Sequence, residues 1–199
     1  RQYIIFALEF GPRDEVLDWA NQIAAQHKTE KFILVTHDFI DQESTLFTND
    51  GSALHTTGQT KNSPYGYGIS KAGSVNCGDT IWSKLVAKYP NFELTFNGHY
   101  KAYKKTGDNV GEVEAIWDAL AAGYRKDTYE NGNVVHQMLF NAQWAARGGE
   151  GWIRLLHFSP DGNTVTVKTW SPYLARTAQD KSQANKTGSD MQFELKLTK

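Results

Sequence analysis

The chain holds a single cysteine, Cys77, among its 199 residues, which excludes an internal disulfide. No apolar run approaches the roughly 18 residues that a membrane-spanning helix needs, and no signal-peptide pattern opens the sequence. Neither charge dominates. With 21 basic and 22 acidic side chains and a pI near 6.7, there is no electrostatic case for a nucleic-acid partner. Internal repeats and low-complexity tracts are missing as well. Arg1 stands where a translation start would carry methionine, so the chain reads as processed, excised or partial at that end.

Aromatic residues, by contrast, are plentiful: six Trp, nine Tyr and ten Phe. They fill cores, and they are also common in extracellular proteins. Asn185-Lys186-Thr187 matches a glycosylation sequon. Together these features point to a secreted or periplasmic location.

Two runs stand out, Phe32-Ile33-Leu34-Val35-Thr36-His37-Asp38 and Phe92-Glu93-Leu94-Thr95-Phe96-Asn97-Gly98-His99. Each is an apolar stretch of strand length that ends in a histidine followed by loop-like residues. Open α/β sheets bind ligands at the carboxyl ends of their strands, so histidines there are candidate ligands. Two unrelated strand-end histidines with ordinary hydrogen bonds are the competing reading.

The order of elements supports an α/β fold. Gln2 to Phe10 reads as a strand, Arg13 to His27 as a helix with Val16, Leu17, Trp19, Ala20, Ile23 and Ala24 at helical spacing, and Phe32 to Thr36 as a strand buried on both faces. That makes a parallel βαβ unit. Asp38 to Asp79 is a polar loop, too long to be a plain connection, whose centre Pro64-Tyr65-Gly66-Tyr67-Gly68 suits lining a pocket or packing on a neighbour. Asp79 is placed to cap a helix over Thr80 to Tyr89, and Phe92 to Phe96 is the next strand. Val113 to Tyr124 reads as a short helix or an insertion loop. Strands follow at Val134 to Phe140, Trp152 to Phe158, Thr164 to Trp170 and Gln192 to Leu197, with 175 to 190 polar and loop-like.

Five runs recur in a familiar order: Leu8-Glu9-Phe10-Gly11-Pro12-Arg13-Asp14, Leu34-Val35-Thr36-His37-Asp38, Asn97-Gly98-His99, Gly132-Asn133-Val134-Val135-His136-Gln137 and Gly151-Trp152-Ile153-Arg154-Leu155-Leu156. Together they resemble the C-terminal half of the catalytic domain of secreted bacterial calcineurin-like metallophosphoesterases. The likeness covers about Gln2 to Tyr173. It implies an incomplete version of that fold, mixed β-sheets in a two-sheet sandwich flanked by helices (α/β/β/α). Residues 1–174 would be the C-terminal portion of the domain, and 175–199 a polar loop and final strand of it.

The resemblance further implies phosphate-ester hydrolysis on metal ions held at strand ends. His37 matches a lone ligand histidine, and His99 the first histidine of a Gly-His-x-His motif. Two departures limit the match. The N-terminal metal motifs of the family are absent, and the second histidine of Gly98-His99-Tyr100-Lys101 is a lysine, whose ammonium has no lone pair to donate. One Zn, Mn or Fe ion is therefore expected rather than two. Its remaining donors must come from a complementary N-terminal segment or chain, since two imidazoles fall short of about four donors.

Around the pair, Lys101 is either a decayed ligand position or an ammonium recruited to grip phosphate. Tyr100 and Tyr103 are candidates to contact substrate. Asp38 directly follows His37 and is placed either to orient its ring or to cap a loop, with Asn97 and His136 as further supporting residues. Two function classes emerge: a metal-dependent phosphoesterase completed by another segment, and an inactive scaffold of the same fold that binds or builds. Either way the half-domain would expose a sheet edge, which predicts a complementary partner or self-association.

Overall fold

A computed structural model describes residues 1–48, 75–107 and 113–198. The chain is mixed α/β with several sheets. Strands β1 (Tyr3–Ala7) and β2 (Lys31–Val35) pair in parallel, joined by helix α1 (Asp14–Gln26). Asp14 and Glu15 sit in the first turn of α1, where carboxylates oppose the positive end of the helix dipole. Leu17, Ala20 and Ala24 are its buried face.

Helix α2 (Gly78–Lys84) and a 3-10 turn at Val86–Lys88 lead into β3 (Phe92–Asn97), which pairs in parallel with β2. The helix starts one residue after Cys77, not at Asp79. Thr80 Oγ1 accepts from the Cys77 backbone N–H, so a serine-like capping role falls to the cysteine–threonine pair. Cys77 is buried beside Asp79, and burial raises its thiol far above the usual range, so it is no nucleophile.

Beyond β3 the parallel sheet continues with β7 (Val134–Asn141) and closes with antiparallel β6 (Ala121–Thr128), in the order β1-β2-β3-β7-β6. Between β3 and β6 lies a small hairpin of β4 (Tyr103–Lys105) and β5 (Val113–Ala115). The expected helix or loop over 113–124 is therefore two strands. The helix-like spacing there is local, whereas β6 gains eight paired positions along β7. Tertiary pairing outweighs a weak local preference.

A second, antiparallel sheet holds β8 (Ile153–Phe158), β9 (Thr164–Trp170), β10 (Asn185–Lys186) and β11 (Phe193–Lys196). β9 pairs with β8 along one edge and with β10 and β11 along the other. A short helix α3 (Pro172–Thr177) precedes β10. Ser171 caps it by accepting from the Leu174 N–H, with proline in the first turn. The polar stretch 175–190 thus contains structure that its composition hides.

Of the three apolar clusters among the described residues, two pack the faces of the five-stranded sheet. On the helix face, Phe6, Phe32 and Phe92 meet with ring centroids 5.1 to 5.6 Å apart, under Leu17 and Ile81. On the other face, Leu94 and Met138 pack against Val165, Val167 and Leu195 of the second sheet. A register shift between the Phe32–Phe92 and Ile33–Leu94 pairs lets β3 serve both clusters.

The second sheet does not cover everything. Ile5 is 61% exposed and Val35 39%, although strand alternation puts both on the same face as the packed Ile33. β2 is thus not buried on both faces as its apolar run predicts. Beside that bare face runs β8, whose Phe158, 43% exposed, stands 6.0 Å from the Tyr3 ring.

Candidate metal-ligand pair at the strand ends

β1, β2 and β3 run in parallel, so their carboxyl ends arrive at one rim. Each end delivers a ring: Phe10 after β1, His37 after β2 and His99 after β3. The His37 and His99 ring centroids lie 4.8 Å apart at 64°, and Phe10 stands 5.0 Å from each. Backbone bonds lock the rim, with Leu8 N–H donating to Val35 O at 2.9 Å and Thr36 N–H to Phe96 O at 3.0 Å. His99 reaches its place only through a left-handed backbone, φ 70°. A non-glycine residue there costs on the order of 1 kcal/mol, which the surrounding structure must offset.

Burial lowers the pKa of both imidazoles. It takes His99 to about 4, with His37 close by adding to the effect, and it lowers His37 more mildly. Both rings are therefore neutral near pH 7 and hold the lone pairs that metal coordination uses.

The residues beside the pair act as a clasp. The Tyr100 hydroxyl donates to Asp38 Oδ1 at 2.5 Å, so the neighbour of one histidine grips the neighbour of the other. Asn97 holds the same loop twice: its Nδ2 donates to Ile40 O at 2.8 Å, and its Oδ1 accepts from Ile40 N–H at 3.3 Å. Tyr100 is 1% exposed, with burial and Asp38 holding its phenol pKa well above 10.

Tyr100 and Tyr103 are thus buried, and neither ring lies open to a substrate as the sequence reading expects. Tyr103 is tied through its backbone, whose N–H and C=O both meet the Gln42 side-chain amide. His136 is also buried, its Nδ1 2.8 Å from Tyr124 Oη and its Nε2 3.0 Å from Lys196 O. It ties the first sheet to β11 rather than supporting the histidine pair. Lys101 sets its ammonium 5.2 Å from the centre of the Trp144 ring. Tyr65 and Tyr67 lie outside the described residues.

Sequence reasoning overlooked Phe10, Trp117 and Trp144. Phe10 could have been found, because it follows the end of its strand closely, as the histidines follow theirs. Trp117 and Trp144 carry no local signal; 27 positions separate them and only the fold joins them.

As a metal site the pair is short of donors. Among the described residues, no group of three or more His, Cys, Asp or Glu side chains is arranged to hold an ion. Zinc, manganese and iron need about four to six donors with some negative charge, so this donor set does not fit a complete site by itself.

No family model matches the chain. Over 173 residues, 86% of the chain, it is 27% identical to the uncharacterized protein YvnB of Bacillus subtilis (strain 168). That alignment spans 10% of the relative's length.

Proposed function

We propose that this chain is the C-terminal portion of a metallophosphoesterase-like domain that hydrolyses a phosphate ester, with one metal ion shared between His37, His99 and donors from a complementary segment. The observation that carries this reading is the approach of two neutral imidazoles, 4.8 Å apart, at the carboxyl ends of adjacent parallel strands. Such an ion would supply Lewis acidity toward a phosphoryl oxygen. The chain's own contribution is to keep both imidazoles deprotonated and to fix their spacing through the Tyr100–Asp38 clasp.

The place for the complementary segment is the open side of the sandwich. A groove of about 550 Å³ runs between the sheets, lined by Val35, Phe96 and Met138 on one wall and by Ile153 and Leu156 of β8 on the other. It ends at Thr36, Asn97 and Gly98, beside the histidines. An added strand on the β8 edge would cover Val35 and Ile5 and deliver its end near the pair. A secreted or periplasmic setting accords with this reading.

A second reading, an inactive scaffold, draws on one observation: Lys101, where a further ligand would stand, rests on Trp144. The two separate by experiment. The full gene product and this chain are titrated calorimetrically with Zn²⁺ and Mn²⁺, beside His37→Ala and His99→Ala variants. An aryl phosphate is then assayed with and without chelator. The phosphoesterase reading expects metal uptake and chelator-sensitive turnover by the full product, both lost in each variant. Failure of the full product to take up metal overturns it and leaves the scaffold.

A further inference from the structure

The loop after His99 leads to an indole cluster that neither the core nor metal binding explains. Trp117 is 65% exposed, more than any other large apolar side chain among the described residues. Its ring meets Trp144 edge to face, with centroids 4.8 Å apart at 67°. Lys101, two positions past His99, sets its ammonium on Trp144.

This cluster is built rather than accidental. Ile116 N–H donates to Ala102 O at 2.9 Å, Asp118 N–H to Trp144 O at 3.0 Å, and Asn141 Nδ2 to Tyr100 O at 2.8 Å. These bonds join three loops: the one bearing His99, the one bearing Trp117 and the one bearing Trp144. Asp118 adopts φ 59°, a left-handed turn just after Trp117. A strained turn that holds an indole in water forgoes the stabilisation that burying a large apolar side chain gives. That sacrifice is explained when the ring receives something flat.

We infer that Trp117 and Trp144 form a stacking platform for a phosphate ester whose organic half carries a planar ring. Trp117, 65% exposed beside Trp144, keeps most of its ring in solvent, while Lys101 occupies Trp144 as a cation on an indole. The phosphate of an ester stacked on Trp117 then has Lys101, held on the neighbouring Trp144, as its cation. Where the phosphate goes rests on the phosphoesterase reading; the stacking itself does not. Aromatic stacking tolerates many rings, because each has a π-face. The platform therefore selects a class of leaving group rather than one compound.

The test uses the metal-free chain and intrinsic fluorescence, titrated at low salt with adenosine 5′-monophosphate, ribose 5-phosphate and inorganic phosphate. The adenine-bearing ester is expected to bind about tenfold more tightly than ribose 5-phosphate, the gain of one stacked ring. Trp117→Ala should erase that preference with its circular dichroism unchanged, and Trp117→Phe should keep most of it. Equal binding of the two esters, or a preference that survives Trp117→Ala, overturns the platform. A ring preference without metal uptake by the full gene product sinks the phosphoesterase reading alone. Metal uptake without a ring preference sinks the platform alone.

Discussion

Tyr100 and Asp38 tie two loops through a hydrogen bond that is fully enclosed, and its loss should be felt. Tyr100→Phe removes the donor and leaves a buried carboxylate with one partner fewer. The expected cost is about 2 kcal/mol in urea unfolding. Under the proposed phosphoesterase reading, metal uptake by the full product weakens as well, because the histidines lose their spacing. His99 supplies a second prediction at this scale. Its pKa in the fold, about 4, lies below the ordinary 6.5. Below 6.5 the unfolded chain takes up a proton that the folded chain refuses until about 4. Stability of the metal-free chain is then full above pH 6.5 and declines as pH falls toward 4. Discounting for the ring's partial exposure, the fall is on the order of 2 kcal/mol. His99→Asn, which suits a left-handed backbone, should flatten that slope in denaturation curves across the window.

Helix α2 owes its position to one glycine. A Cβ on Gly78 would stand 1.9 Å from the Phe39 carbonyl oxygen and 2.7 Å from the Phe47 nitrogen, both backbone atoms that cannot swing aside. Gly78→Ala should therefore cost about 3 kcal/mol or more, read as a lowered unfolding midpoint or failure to fold. Elements with strong patterns were legible along the chain: β1, α1, β2, β3 and the β8–β9 hairpin stand where alternation and helical spacing put them. The misses share a cause. Val113 to Tyr124 spaces its apolar residues like a helix, yet the partner β7 was not visible locally. Helix α3 follows a Ser171-Pro172 start signal inside a polar stretch, and composition masked it.

On the scale of the molecule, the bare strip at Ile5, Val35 and Phe158 is the dominant feature. Exposed apolar residues beside a sheet edge favour association. Sedimentation of the chain by itself should show self-association at micromolar concentration, relieved by Ile5→Ser combined with Phe158→Ser. A stable monomer of the unmodified chain would contradict the need for a partner on this face.

Composition and local pattern alone determined the absence of an internal disulfide, the βαβ opening and two histidines at strand ends. These are short-range properties, carried by neighbouring residues whatever the rest does. Only the tertiary structure decided that the two imidazoles face one another, that Tyr100 and His136 are buried supports, and that a pair of tryptophans meets beside Lys101. Those outcomes depend on parallel register, on a left-handed residue at His99 and on loops joined across long separations. Distant parts of the chain must be packed together before any of them exists.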